Sequence, residues 1–371
     1  MRALIINSVC GIRSTGRIAA ESAEKLRKDG YETVIAYGRE DVPDKDKQTT
    51  IRIGTETSVR KNALESRIFD NDGFTARRAT KRFLKWADEF DPDLLWLHNL
   101  HGYYINAELL FSWIKSRPRM ETRWTLHDCW AFTGHCSYFT YAKCEKWKTQ
   151  CIDCPQKREY PASYVFDRSM VNFRKKREIF TGVKNLTLIT PSRWLADLVG
   201  ESFLKYYPTE VRYNTINKEV FRPIKGNIKE RLGIEDKKMV LGVAAQWQLS
   251  KGYYDFFELS KRLSDDYTIV LVGLTDKQIQ EIPDSIIGIR STNSSEELAE
   301  LYSAADVFVN LTYEDNYPTV NLEAIACGTH VITYNSGGSP ESAAENGTII
   351  ETGNMDALTE AIERICGESR R

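Results

Sequence analysis

Marking each position of the 371-residue chain as apolar or polar separates short apolar runs from longer amphipathic stretches. The runs cover Ala3–Asn7, Thr33–Tyr37, Leu94–His98, Arg123–His127 and Leu186–Thr190, then Met239–Ala244, Ile269–Val272, Ile287–Arg290, Val307–Leu311 and His330–Tyr334. Most are continuous rather than alternating, the pattern of parallel strands buried on both faces. Helical stretches fall between them. One runs from Gly16 to Asp29 with Gly30 as its stop, and residues 59–90 read as helical. Ser192 is placed to cap another, Glu296–Ala304 is helical, and Thr319–Cys327 ends at Gly328. Strand, helix and strand in succession predict an α/β fold of Rossmann-like units. The length suits two such cores better than one.

Candidate chemistry concentrates between Asp306 and Glu341. An apolar strand leads into a polar turn, Thr312–Pro318, that carries Glu314 and Asp315; a helix, a second strand and the pair Gly337-Gly338 follow. Asp315 lies in the turn and Glu323 on the first turns of the helix, eight positions on. A carboxylate accepts bidentate hydrogen bonds from vicinal hydroxyls. The helix start at Pro318 and Thr319, reached through Asn316 and Tyr317, offers free N–H groups and partial positive charge, which suit a diphosphate. Hydroxyl-reading acids beside an anion site describe a nucleotide-sugar pocket. An acidic surface turn followed by a capped helix is the other reading of the same residues.

The order of these residues resembles family-4 retaining glycosyltransferases. There an acid, seven residues and a Glu are followed by Leu-Glu-Ala, Cys-Gly-Thr-Pro-Val-Ile and Gly-Gly. This chain has Asp315, seven residues and Glu323, continued by LEAIACGTHVI and GGSPE, with His330 where Pro is usual. WTLHD and WAFTG, around His127 and Asp128, recur in the colanic-acid and exopolysaccharide subfamily. Arg13-Ser14-Thr15-Gly16 stands where that subfamily has Gly-Ser-Thr-Gly, and NTINKEVFRP is similar to the segment joining the family's two domains.

The resemblance spans nearly the whole chain and implies the GT-B architecture, two Rossmann-like domains facing a cleft. Residues 1–217 would take the acceptor and 218–371 the nucleotide sugar, with a C-terminal helix that returns to the first domain. The implied reaction moves a sugar from a UDP- or GDP-linked donor, with retention and no catalytic metal. The implied acceptor is a glycan on a lipid pyrophosphate, in surface or exopolysaccharide synthesis. In that scheme Glu323 holds the ribose, Asp315 the sugar hydroxyls, Lys251 the departing diphosphate and His127 the reacting sugar. Backbone N–H groups of Ser14, Thr15 and Gly16 approach a phosphate or sugar. The family's Arg near that Lys has no counterpart, since Gln246 or Ser250 stands near its place; Arg193 is a substitute from the first domain. An epimerase or phosphorylase on the same architecture, or a non-catalytic sugar-nucleotide binder, remains as an alternative.

Charge adds a direction to this. The formal net charge is −1, yet residues 1–200 hold 34 Lys and Arg against 25 Asp and Glu, while the remainder hold 17 against 27. A basic first half suits phosphates or an acidic membrane face; a nucleic-acid partner is not expected. No segment approaches the roughly 18 apolar residues of a spanning helix, and the N-terminal apolar run is too short for a signal peptide. The expected location is therefore cytoplasmic, with peripheral contact at the inner membrane face. Arg77, Arg78, Lys81, Arg82 and Lys85 read as a solvated helix face. Phe166, Phe173 and Phe180, seven apart around Arg174–Arg177, form either a core-facing stripe or a surface for an anionic leaflet.

Two further clusters carry chemistry. His98, Asn99 and His101 close one strand while His127 and Asp128 close the next, so parallel strands bring them to one edge; a His–Asp pair capping the strand is the plain alternative. Cys136, Cys144, Cys151 and Cys154 fall within an insertion at 129–160. In a reducing compartment such thiols argue against disulfides, and a structural zinc held by the four is expected, although the first spacing exceeds the common one.

Overall fold

The computed structural model describes residues 1–343 and 347–368. The chain divides after Tyr213 into two compact units, four residues before the boundary drawn at 217. The first unit contains β1 (Arg2–Ile6), α1 (Arg13–Lys28), β2 (Glu32–Tyr37), β3 (Thr50–Arg52), α2 (Glu56–Phe69), α3 (Arg77–Phe90), β4 (Leu94–Leu97) and α4 (Ala107–Lys115). It continues through β5 (Glu121–Thr125), α5 (Ser169–Phe180), β6 (Leu186–Thr190), α6 (Arg193–Glu201) and β7 (Thr209–Val211). The strands form one parallel sheet in the order β3-β2-β1-β4-β5-β6-β7.

The second unit contains α7 (Ile228–Arg231), β8 (Lys238–Val243), α8 (Tyr253–Arg262), β9 (Tyr267–Val272), α9 (Asp276–Glu281), β10 (Ile286–Ile289), α10 (Ser295–Ala304) and β11 (Val307–Asn310). α11 (Thr319–Ala326), β12 (Val331–Tyr334), α12 (Ser339–Ala343), β13 (Gly347–Ile350) and α13 (Met355–Glu368) complete it. Its parallel sheet runs β10-β9-β8-β11-β12-β13. Both units are doubly wound α/β sheets of the Rossmann type, as the alternation of strands and helices predicts.

Burial on both faces explains the continuous apolar strands. In β1, Leu4 and Ile6 enter one core while Ala3 and Ile5 enter the other, the period of two along a strand. The second unit repeats this: Val240, Leu271 and Val309 serve one face, Leu241, Val270 and Phe308 the other.

Several expectations need correction. α1 begins at Arg13 rather than Gly16, and Arg13 itself takes the left-handed backbone (φ 55°). The helical stretch 59–90 is two helices, broken where Asp70 and Gly73 adopt positive φ. The short strands β3 and β7 escape the apolar pattern because they are the sheet's partly exposed edges. Leu358, Ala361, Ile362 and Cys366, the apolar face of α13, belong to the second unit's core. The phenylalanine stripe also splits. Phe173 and Phe180 are buried on α5, whereas Phe166 precedes the helix, half exposed and stacked on Phe69 at 5.7 Å.

The insertion between β5 and α5 is ordered by aromatic packing. Phe139 and Trp147 stack at 4.7 Å, and Phe132 closes on Trp147 at 5.3 Å. Beneath it Lys176, read from sequence as part of a basic run, is fully buried. Its Nζ donates to the Trp130 carbonyl at 2.7 Å and sits 3.6 Å from the Trp130 ring centroid. Burial pushes its ammonium down to about 7, with Asp72 opposing.

Candidate active site

In each sheet the strand order reverses once, between β1 and β4 and between β8 and β11. At such a point consecutive loops leave in opposite directions from the strands' C-terminal ends, which opens a ligand-sized crevice. Lys251 and Asp315 follow the two strands that flank the second reversal, and Ser14–Gly16 and His98 follow the two that flank the first, whereas His127 follows β5 and Arg193 opens α6.

In the second unit, the loop after β8 carries Lys251 and the loop after β11 carries Asp315. The Lys251 ammonium donates to Asp315 Oδ2 at 2.5 Å, the Glu314 carbonyl at 3.2 Å and Thr312 Oγ1 at 3.3 Å. Gly252 follows in the left-handed region, packed so closely that an added Cβ would lie 2.4 Å from the Leu311 carbonyl. That contact fixes one loop on the other. On the far side, Gly337 has φ 58° and would place a Cβ 2.1 Å from the Asp315 carbonyl, which accepts from the Gly338 N–H at 3.0 Å. The Gly-Gly pair thus seats the Asp315 loop.

The remaining second-unit residues lie nearby in the chain but differ in exposure. Asn316 is buried, Tyr317 and Thr319 are partly exposed, and Pro318 opens α11 without a side-chain cap. Glu323 is only 4% exposed and accepts the Tyr302 hydroxyl at 3.1 Å, so α11 holds its carboxylate inward. Gln246 is exposed, with its amide oxygen accepting from Gln248.

In the first unit, the ends of β4 and β5 bring four of the predicted polar side chains together. Trp96 and His98 project from one face of β4, Thr125 and His127 from the same face of β5, and they meet in two rungs. Trp96 Nε1 donates to Thr125 Oγ1 at 2.9 Å, and His98 Nδ1 lies 2.9 Å from His127 Nε2. Asp128 pairs with a histidine, but the one it hydrogen-bonds is His101. Asp128 turns to His101 (2.8 Å) and accepts the Trp130 N–H, while the other His101 nitrogen meets the Tyr160 hydroxyl at 3.0 Å. Burial lowers His127 to about 4 and takes His98 well below its ordinary value. Burial opposes the His101–Asp128 ion pair, but the partners prevail: His101 is raised and Asp128 lowered.

Ser14, Thr15 and Gly16 lie in the first turn of α1, and the Gly16 carbonyl accepts the Gly11 N–H. Arg193 stands exposed in the first turn of α6, behind the cap that Ser192 provides. Sequence reasoning missed Asp72 and Tyr160. The buried Asp72 carboxylate accepts N–H groups of Gly73, Gly102 and Tyr103, which anchors the loop after His101. Tyr160 comes from the insertion, far along the chain, and no local pattern announces it.

Cys136, Cys144, Cys151 and Cys154 are free thiols, and a zinc centre is not shown. Among the described residues no group of three or more His, Cys, Asp or Glu side chains is arranged to hold a metal ion. Cys136 donates to Cys154, which raises the first thiol and lowers the second to about 7, while Cys151 accepts the Gly134 N–H at 3.2 Å. The aromatic cluster supplies the order that a metal was expected to bring.

Comparison with known proteins places the second half. Residues 224–370 match the family model "Glycosyl transferases group 1". This part of the chain is a group 1 glycosyl transferase domain. The residues around Lys251, Asp315 and Glu323 all lie within it. Along 345 residues, 89% of this chain and 82% of the other, the protein is 24% identical to "Putative colanic acid biosynthesis glycosyl transferase WcaC" of Escherichia coli. It is 27% identical over 57% of its length, and 54% of the other's, to the N,N'-diacetylbacillosaminyl-diphospho-undecaprenol alpha-1,3-N-acetylgalactosaminyltransferase of Campylobacter jejuni. In structure it is similar to a sucrose-phosphate synthase from Thermosynechococcus elongatus, with TM-score 0.72, 17% identity, and coverage of 100% of this chain and 90% of that one. The Anabaena protein Alr3699/HepE, solved in complex with UDP and glucose, superposes with TM-score 0.65 at 14% identity, covering 100% and 91%. Those solved structures establish the GT-B fold class for the chain.

Proposed function

We propose that this protein is a retaining glycosyltransferase that moves a sugar from a nucleoside diphosphate to a glycan acceptor carried on a lipid pyrophosphate. The observation that carries the reading is the meeting of Lys251 with the Asp315 loop at the strand reversal of the group 1 glycosyl transferase domain. A cation, a hydroxyl-reading carboxylate and the free N–H groups at the start of α11 supply what a sugar diphosphate needs. The relative solved with UDP and glucose supports a nucleotide-sugar donor, and the C. jejuni relative, by its name, acts on a diphospho-undecaprenol acceptor.

In this scheme an acceptor hydroxyl oxygen bonds to the anomeric carbon on the face that the diphosphate oxygen leaves. The departing diphosphate takes the acceptor's proton, so no carboxylate nucleophile is required. Lys251 and the α11 N-terminus stabilise the leaving charge, Glu323 binds the ribose, and Asp315 the sugar hydroxyls. No catalytic metal enters. No described helix is long and apolar enough to cross a membrane, and a lipid-linked acceptor is reached by peripheral contact through the basic first unit.

Thermal shift with UDP, GDP, dTDP and their sugar conjugates, each with and without EDTA, tests the donor half. Selective stabilisation that survives EDTA is the expected result. No stabilisation by any of them would overturn the donor assignment, and release of an epimer or sugar phosphate without acceptor would favour an epimerase or phosphorylase.

A further inference from the structure

The pairing at the ends of β4 and β5 has a direction. A hydrogen bond between two imidazole nitrogens needs a proton on one and a lone pair on the other, so His98 and His127 cannot present the same state across their 2.9 Å contact. Two arrangements exist. In one, His127 Nε2–H donates and His98 accepts at Nδ1, which puts the proton of neutral His98 on Nε2. In the other, His98 Nδ1–H donates and His127 accepts at Nε2.

The far side of His98 separates them. His98 is 1% exposed, and its Nε2 has no hydrogen-bond partner among the described residues. The first arrangement therefore buries an N–H with no acceptor, whereas the second leaves only a bare lone pair there. Orphaned buried N–H groups are the rarer state in folded proteins, and an unmade bond of this kind costs about 1–3 kcal/mol. Ring placement is fixed from both sides. His98 packs 5.8 Å from Trp96 and 5.2 Å from His127, with interplanar angles of 18° and 16°. Its backbone carbonyl accepts from Trp124 Nε1 at 3.0 Å, which ties this strand end to the core.

From this geometry we infer that His98 is a positioning residue: its Nδ1–H donates to His127 Nε2 and so holds His127 as the Nδ1–H tautomer. Both imidazoles are held neutral by burial, so the assignment applies at ordinary pH. Resting on the proposed transfer reaction, it specifies the part His127 takes. With its lone pair committed to His98, the Nε2 of His127 is not available as a general base for the acceptor's proton. This agrees with a mechanism in which the leaving diphosphate collects the acceptor's proton.

The test is long-range nitrogen–carbon NMR on protein labelled at its five histidines, with His127→Phe used to assign the signals. It is read near pH 7 without donor, so failure of the tautomer assignment and failure of glycosyl transfer are separate results. The expected spectrum shows His98 and His127 each protonated at Nδ1 and bare at Nε2. His127 protonated at Nε2, or doubly protonated, would overturn the inference. His98→Asn places an amide N–H near the Nδ1 position and should preserve the His127 tautomer. His98→Leu removes the donor and should release His127 to the Nε2–H form or a mixture. An unmoved Trp124 indole resonance certifies that the strand ends remain folded in each variant. A His127 tautomer unchanged in folded His98→Leu would also overturn the inference, and the wild-type spectrum decides alone if that variant does not fold.

Discussion

An ammonium has three hydrogens, and in Lys251 all three point at acceptors of the β11 loop: Thr312, the Glu314 carbonyl and Asp315. A diphosphate must therefore displace one of them, and Asp315, the charged competitor, is the partner that a dianion opposes most. Removing it should separate two contributions to donor binding. Asp315→Ala is expected to bind the nucleoside diphosphate alone as well as the wild type does. The extra affinity contributed by the attached sugar should fall by about tenfold or more, the worth of a charged hydrogen bond. Calorimetric titration with the diphosphate and its sugar conjugate reads both, and the opposite ranking would place Asp315 at the phosphate. A second residue-scale expectation concerns acid. His127, lowered by burial to about 4 from an unfolded value near 6.5, leaves the unfolded chain binding more protons between those limits. Its contribution is complete above pH 6.5 and is lost as pH falls toward 4, up to roughly 3 kcal/mol. Urea unfolding at pH 7, 5.5 and 4.5 should show a steeper decline for wild type than for His127→Phe, and parallel declines would mean that the ring is not held neutral.

At the scale of elements, the Asp315 loop is shaped by glycines as much as by its own residues. Gly337→Ala would force a left-handed alanine and a methyl 2.1 Å from the Asp315 carbonyl. We expect a loss of roughly 2–5 kcal/mol together with weakened donor binding. Gly30→Ala is the control: its φ is 86°, yet nothing lies within 4 Å, so only the backbone cost of about 1–2 kcal/mol remains and donor binding is unchanged. Thermal unfolding and titration of both variants check this, and equal losses would show that the close approach to Asp315 is immaterial. The contrast also marks how far the sequence was legible. Strands β1, β4, β8 and β11 were readable because burial on both faces writes a continuous apolar run. The turn holding Asp315 was readable because carboxylate, helix start and glycine pair stand close in the chain. Asp72, Tyr160 and Lys176 were not, since their roles depend on partners dozens of residues away. The four-cysteine zinc reading gains no support either, and for a related reason. Cysteine spacing was visible, but the packing of Phe132, Phe139 and Trp147, which orders the same loop, is a tertiary fact.

Across the whole molecule the charge divides along the unit boundary: residues 1–213 hold 36 basic against 27 acidic side chains, and residues 214–371 hold 15 against 25. The basic unit also carries an apolar surface that the helical pattern did not predict. Tyr164, Val165 and Phe166 are consecutive and 60%, 56% and 50% exposed. They are not loose: the Tyr164 and Phe166 N–H groups donate to the Arg67 and Ile68 carbonyls at 2.7 and 3.0 Å, and Phe166 stacks on the exposed Phe69. Arg60, Lys61, Arg67 and Arg168 are exposed in the same two segments. Aromatic side chains partition to the headgroup layer, and each nearby Lys or Arg adds about 1 kcal/mol on an anionic leaflet. The proposed peripheral contact therefore belongs to this patch more than to Arg174–Arg177, where Lys176 is spent inside the protein. Sedimentation with phosphatidylglycerol-containing vesicles should show salt-sensitive binding that pure phosphatidylcholine does not support. Replacing Tyr164 and Phe166 together by serine should reduce it by about tenfold or more, the transfer energy of one to two large apolar side chains, while nucleotide binding in the second unit stays as it was. If that double variant partitions like the wild type and charge reversal at Arg174 and Arg177 abolishes binding instead, the membrane face lies on α5 and the aromatic patch has another use.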